Sequence, residues 1–280
     1  MAKHNHGISA LKQGQSTFTI DKQYGLDRVL AQWFSIAEKV TSKHHQWAGR
    51  DIHYIDMNAG TGYNYEVDCE GSPLIALRLA LDKFENTGKD TRVKAWFLER
   101  NKLNFQELCE RVYEREIFKV FGTKQVDPTC LNGDSSKLLF DTIEPTLPQK
   151  QFGLIYFDPN GIKMNSTESV FSIVDQLSRM EKFKYTDILI RFAGTNYKRV
   201  RTVHSKYPPL VDQLSKINKK QWICRQIHIN ERGQRDPNQW TFLFGTNWTD
   251  YRAWESEGFY KIEDSRSDFH IINNTKSEMI

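Results

Sequence analysis

Long apolar runs are missing from this chain. No stretch approaches the ~18 consecutive apolar residues that a membrane-spanning helix needs. Cysteine is scarce, with four among 280 residues. Cys69, Cys109, Cys130 and Cys224 form no C-x-x-C pair, which speaks against a zinc knuckle and against a disulfide framework in a chain of this size. No low-complexity tract, internal repeat or Pro/Gly/Ser-rich linker divides the sequence. Neither sign of charge dominates: 39 basic against 35 acidic residues leave a formal charge of +4, which permits a polyanionic partner without demanding one. The amino-terminal segment is polar and lacks the apolar core of a secretory signal, so a cytoplasmic location is expected. His4 and His6 read as solvated tail residues, and no metal site is expected.

What is present suits a soluble globular protein, with 39% hydrophobic and 26% charged residues. Aromatics, at 12%, can fill a core and can also stack on bases.

The apolar positions change period along the chain. Leu26, Val29, Leu30, Trp33, Phe34, Ile36 and Ala37 recur at helical spacing, so residues 22–41 are predicted to form an amphipathic helix. Residues 1–20 are expected to be a flexible arm and residues 21–280 a single domain. Residues 52–57 read as a buried strand that runs into a tight turn containing Gly60 and Gly62. Pro73 suits the first turn of the next helix, where its missing N–H is not needed. Further strands are predicted over residues 93–98, 129–131, 152–157 and 186–192, with helices over 103–118, 170–180 and 208–217. Residues 222–229 and 240–245 are two strands with only a polar loop between them, the pattern of an antiparallel hairpin. Five β–α alternations and a closing hairpin imply a Rossmann-like α/β fold of the class I methyltransferase kind. Such a fold has a mostly parallel seven-stranded sheet, here with a C-terminal antiparallel hairpin and an N-terminal helical extension.

Ligands of doubly wound sheets sit at the carboxyl ends of strands, where acidic residues fall in this sequence. In Asp56-Met57-Asn58-Ala59-Gly60-Thr61-Gly62, an acid is followed by small turn residues two, four and six positions later. Glycine lets the backbone turn sharply and lets a ligand approach, and asparagine tolerates similar geometry. Asp56, Asn58, Ala59, Gly60 and Gly62 are therefore candidate cofactor residues. Glu99 ends the second strand, where a carboxylate accepts from ribose hydroxyls. Its distance from the glycines exceeds the usual gap of about 20 residues, because extra chain lies between Gly62 and the helix. Asp134, after Gly133, is a candidate acceptor for an adenine amino group. A plain strand-to-helix turn, a solvated strand end and a turn aspartate are the bland alternatives for these three features.

Asp158-Pro159-Asn160-Gly161 directly follows an apolar strand. Methylation of an aromatic amine is hindered because the nitrogen lone pair is delocalised. Acceptors for the two amine protons draw the nitrogen toward tetrahedral geometry and aim its lone pair. A carboxylate or carboxamide and a backbone carbonyl at one strand end supply them, with proline fixing the turn. Catalysis is then positioning and preorganised electrostatics, without a covalent intermediate. Asp158, Pro159 and Asn160 are the candidate catalytic residues, and an ordinary Asp-Pro-Asn-Gly turn is the alternative.

The run YIDMNAGTGYNYEVDCEGSPLIAL resembles the three-Cys-motif partner family of methyltransferase-like proteins. Gly71, Ser72, Pro73 and Leu74 match that family's Gly-Ser-Pro-Leu segment, and FDPNG is similar to its Asp-Pro-x-Gly. The helix carrying Lys22, Leu30 and Trp33 is similar to its opening segment. The resemblance implies a class I fold that binds S-adenosylmethionine, with Ser72 and Pro73 among the cofactor residues. Asn58 and Thr61 depart from the family's Phe and Pro. Asp-Pro-Asn-Gly is also similar to the Asp-Pro-Pro-Tyr motif of adenine-N6 methyltransferases, but without the aromatic that stacks on a flipped base. Phe157, Tyr156 or a residue elsewhere, such as Tyr197, would have to supply that stacking. Cytosine-C5 chemistry needs a Pro-Cys nucleophile, and no cysteine here directly follows a proline.

Lys198, Arg199 and Arg201 cluster after the fifth strand and are candidates for phosphate contacts, with a solvated charged face as the alternative. The expected function is S-adenosylmethionine-dependent methyl transfer to an exocyclic amino nitrogen of a base, with adenine-N6-type chemistry favoured. The expected partner is DNA or RNA; a protein partner is left open and no membrane is expected. A methyltransferase fold kept as a binding or regulatory subunit is the alternative. An NAD-type oxidoreductase fits the glycine spacing less well.

Overall fold

The structure is a computed structural model that describes residues 18–44, 46–65, 67–84, 91–114, 125–159, 169–204, 207–227, 239–250 and 252–273. In chain order its main elements are α1 (Phe18–Lys43), β1 (Ile52–Asp56), β2 (Tyr63–Asn64), β3 (Cys69–Glu70), α2 (Ser72–Phe84), β4 (Val93–Glu99), α3 (Lys102–Glu114) and β5 (Val126–Asn132). They continue with β6 (Phe152–Phe157), α4 (Val170–Arg179), β7 (Tyr185–Ala193), α5 (Gly194–Val203), α6 (Leu210–Ser215), β8 (Gln221–Arg225), β9 (Trp240–Thr246), α7 (Arg252–Glu255), β10 (Phe259–Lys261) and α8 (Phe269–Asn273). A π-helical turn, Leu138–Ile143, precedes β6. The architecture is mixed α/β with a mostly parallel, Rossmann-like sheet. The expected flexible arm falls on residues 1–17, outside the described residues, and on the start of α1.

The chain divides into two compact units, one of residues 1–50 and 59–135, the other of residues 51–58 and 136–280. In the first, α1 buries Leu26, Val29, Leu30, Trp33, Phe34, Ala37 and Val40, the stripe its sequence spacing requires. It packs on α2, and Phe34 meets Phe84 edge-on at 6.5 Å. Strands β4 and β5 run parallel, with Glu99 opposite Asn132. Pro128 sits in β5, and the Tyr113 hydroxyl on α3 accepts from the Cys130 N–H at 3.1 Å. A side chain thereby serves a backbone donor of β5.

In the second unit six strands follow the order β10-β8-β9-β7-β6-β1. β1–β6 and β6–β7 are parallel, and β7–β9, β9–β8 and β8–β10 antiparallel. Every residue of β1, β6 and β9 is buried, which explains why they read as continuous apolar runs rather than alternating ones. The predicted hairpin is the β8–β9 pair, and β10 adds an antiparallel strand beyond the seven-stranded expectation. α4 is capped by Ser169, whose hydroxyl accepts from the Ser172 N–H at 3.1 Å.

Lys219 ties the approach to β8 onto the start of β7. Its ammonium donates to the Thr186 carbonyl at 2.5 Å and reaches the Phe183 carbonyl at 3.5 Å. Burial pushes its pKa down to about 8, against the pull of the Asp187 carboxylate. An unfolded lysine titrates near 10.4, so between about pH 8 and 10.4 the unfolded chain binds more protons than the folded one. The contribution of this site to stability therefore rises with pH across that window and is flat below it. Relative to Lys219→Met, the wild-type chain should gain a fraction of about 1.4 kcal/mol per pH unit between pH 8 and 10. Urea unfolding of both proteins at pH 7 and pH 9.5 checks this, and an unchanged difference would refute it.

Candidate functional site

In the first unit the turn after β1 folds onto the end of β4. The Ala59 N–H donates to the Leu98 carbonyl at 3.0 Å. The Gly60 N–H donates to Glu99 Oε2 at 2.9 Å, and the Asn101 N–H donates to Oε1 at 2.6 Å. The Glu99 carboxylate is thus held by one backbone donor on each oxygen, and each oxygen keeps capacity for a further donor. The Glu99 carbonyl accepts from the Asn132 amide at 2.8 Å and from the Gly133 N–H at 3.1 Å. Asp134, half-buried, follows that turn.

Gly60 and Gly62 adopt φ of +63° and +78°, values that L side chains rarely take. A Cβ at Gly60 would meet nothing within 4 Å, so a ligand can come close to its backbone. At Gly62 a Cβ would lie 3.2 Å from the Leu108 side chain, so this glycine serves close packing on α3. Ser72 and Pro73 are both buried in the first turn of α2.

In the second unit the polar groups gather at the ends of β1, β6 and β7. Asp56 is fully buried, and its Oδ1 accepts from the Asn58 N–H at 3.0 Å. A side chain with no exposed surface shapes the turn and cannot itself touch a ligand, which corrects its expected cofactor contact. Asn58 is exposed, and its Oδ1 accepts from the Asp158 N–H at 3.2 Å. It is not among the residues of positive φ. Its value lies in bridging the two strand ends rather than in tolerating a left-handed turn. The Met57 N–H donates to the Tyr156 carbonyl at 3.0 Å, continuing the β1–β6 ladder past β1.

Asp158 stands one residue beyond β6, and Arg191 lies in β7. The parallel register pairs Tyr156 with Leu189 and Phe157 with Ile190, so the next step brings Asp158 beside Arg191. Arg191 Nε lies 2.8 Å from Asp158 Oδ1, with side-chain exposures of 21% and 13%. Sequence reading passed over Arg191. The signal was there, since a charge inside the apolar run ILIRF calls for a partner. Pro159 follows, partly exposed, and Asn160 lies outside the described residues.

The aromatics proposed for stacking are not available to it. Tyr156 and Tyr197 have no exposed surface, and a base cannot stack on a ring enclosed by protein. Burial, and then the Asp158 carboxylate, raise the Tyr156 hydroxyl well above its ordinary pKa. The Tyr197 hydroxyl donates to the Pro208 carbonyl at 2.7 Å, and its ring packs on Phe192 and Tyr207. It pins α5 to the chain before α6. Arg201 is committed as well, donating to the Asn273 carbonyl on α8 beneath the Tyr197 ring face. Arg199 is exposed and Lys198 half-buried on α5.

The thiols are poor nucleophiles. Burial pushes Cys130 and Cys224 up to about 12 and raises Cys69 and Cys109. All four are neutral near pH 7, which excludes a ready thiolate. Among the described residues no cluster of His, Cys, Asp and Glu is arranged to hold a metal ion, and no helix is long and apolar enough to cross a membrane.

Replacing Arg191 would leave a carboxylate that is only 13% exposed without its cation. Arg191→Met is expected to cost about 2–3 kcal/mol, and adding Asp158→Asn should recover at least half of that loss. Denaturant unfolding of the single and double variants measures the coupling. Simple additivity would show that the pair is not coupled.

No protein-family model matches the chain, and no curated protein matches it. Similar solved structures include the methyltransferase domain of METTL16, at 11% identity and a TM-score of 0.42 over 77% of this chain and 65% of that one. A precorrin-6y C5,15-methyltransferase from Geobacter metallireducens is 14% identical, with a TM-score of 0.35 over 72% and 81% of the two chains. Spermidine synthase from Thermotoga maritima is 10% identical, with a TM-score of 0.36 over 73% and 55%. Likenesses this distant carry no argument about substrate or cofactor, which rest on the residues themselves.

Proposed function

We propose that the chain is an S-adenosylmethionine-dependent methyltransferase that acts on an exocyclic amino nitrogen of a nucleic-acid base. The observation that carries the reading is the Asp158-Pro159 strand end, with its carboxylate ion-paired to Arg191. The open backbone at Gly60 and the doubly held Glu99 carboxylate fit a nucleoside cofactor, since Glu99 can accept from ribose hydroxyls while the turn leaves room. S-adenosylmethionine, when bound, supplies a methyl group on a positively charged sulfur that a nitrogen lone pair can attack.

The chain's own residues prepare the acceptor. The Asp158 carboxylate and the Pro159 carbonyl accept hydrogen bonds from the two amine protons. This localises the lone pair and fixes its direction. The Arg191 guanidinium compensates the charge on Asp158, and the carboxylate takes the proton that the nitrogen sheds. The Asn58 side chain holds the Asp158 backbone, so the acceptor is positioned before substrate arrives. Asp134 is the acceptor assigned to the adenine amino group, and Arg199 and Lys198 are assigned to backbone phosphates.

Methyl transfer from labelled S-adenosylmethionine to DNA, RNA and protein tests this directly. Label is expected in a nucleic acid, with Asp158→Ala slower by at least about a hundredfold. Calorimetry should show Glu99→Ala binding the cofactor about ten- to a hundredfold more weakly. Cofactor binding by the wild-type chain without transfer to any acceptor would leave the fold a binding or regulatory role instead.

A further inference from the structure

The extra chain between Gly62 and α2 forms the β2–β3 hairpin, whose strands are two residues each. So short a hairpin does not hold itself together in water, and here several anchors hold it. The Gly71 N–H donates to the Gly62 carbonyl at 2.8 Å, and a Cβ at Gly71 would lie 2.9 Å from that carbonyl. Arg78 on α2 reaches Glu70 on β3 at 2.9 Å and also bonds Asp27 on α1. The Thr61 hydroxyl donates to the Tyr63 carbonyl at 2.6 Å, and the Tyr63 hydroxyl to Asp68 Oδ1 at 2.5 Å. Asp68 turns the hairpin with a φ of +50°, a conformation aspartate tolerates better than most residues.

These anchors fix two phenol rings and a guanidinium on the surface. Tyr63 and Tyr65 meet edge-on at 5.3 Å. The Arg111 guanidinium on α3 lies 5.5 Å from the Tyr63 ring centroid and 5.0 Å from that of Tyr65, and it bonds the Tyr65 hydroxyl. Tyr65 is 44% exposed and Arg111 is exposed too. Flat π-faces beside a cation suit a flat, electron-rich ring attached to a phosphate. The rings carry hydroxyls and sit beside a guanidinium, so the chemistry favours a base over an apolar peptide.

We propose that Tyr63, Tyr65 and Arg111 form a preorganised platform on which a nucleobase of a single-stranded nucleic acid stacks, with Arg111 taking the adjoining phosphate. The platform rests on the reading of the acceptor as a nucleic acid.

Fluorescence anisotropy of the full chain tests it, with labelled single strands of about 20 nucleotides as DNA, as RNA and as an abasic strand of equal length. Tyr65→Ala is expected to weaken binding of base-containing strands about five- to a hundredfold, and to leave the abasic strand unaffected. Tyr65→Trp should bind as tightly as wild type or more tightly. Tyr65→Leu keeps apolar bulk without a ring, and should weaken binding even if the alanine variant fails to fold. Wild-type binding that ignores all three substitutions, or an equal loss on the abasic strand, overturns the platform and leaves the acceptor reading standing. No binding of any strand by the wild-type chain, with the cofactor present, removes the nucleic-acid acceptor itself, and the platform with it.

Discussion

Burial along the whole length of β1 and β6 is the constraint from which the chemistry of the second unit follows. A polar group inside such strands is costly unless it is bonded where it stands. The acidic side chains Asp56 and Asp158 stand at the strand ends, where backbone donors become available. Asp56 occupies the last position of β1, and its Oδ1 accepts from a donor two residues on. Asp158 lies just past β6, with its N–H taken by Asn58 and its carboxylate by Arg191. These contacts tie the ends of β1, β6 and β7 to one another.

Much of this was legible in the sequence. The apolar runs ending in Asp56, Glu99 and Asp158 located the strands and their carboxyl ends, and the closing hairpin separated this sheet from a plain alternating one. What was not legible was which side chains the core would take. Tyr156 lies in a strand whose every residue is buried, and alternation gives no warning when both faces are covered. Tyr197 sits on a helix whose other residues are mostly polar, so its burial depends on packing with Phe192 and Tyr207, far more a matter of tertiary arrangement than of local pattern. Arg201 looked like part of a solvated basic run, yet it serves a carbonyl 72 residues away in sequence.

Asn58 shows how a right residue can be read for a wrong reason. Its place in the turn suggested tolerance of a left-handed backbone, but its φ is ordinary and its side chain bridges β1 to the residue after β6. Glycine there could make the turn and could not make the bridge. The long loop after Gly62 was visible as excess length, and its purpose was not. A two-stranded hairpin held by Arg78 from α2 emerges only when distant residues meet, because neither Glu70 nor Asp27 announces its partner in sequence.

The charge state at the end of β6 separates two ways of preparing an amine. A neutral amide at that position would accept a hydrogen bond and no more. A carboxylate accepts the bond and can also take the proton that the nitrogen must release once it has a new substituent. Placing a carboxylate where its side chain is only 13% exposed is unfavourable by itself, and Arg191, 2.8 Å away, offsets that cost. With four thiols neutral at ordinary pH, the described residues offer no competing cysteine nucleophile. Under the proposed function, this arrangement favours direct transfer to a positioned lone pair, with the carboxylate already in place and its charge already compensated.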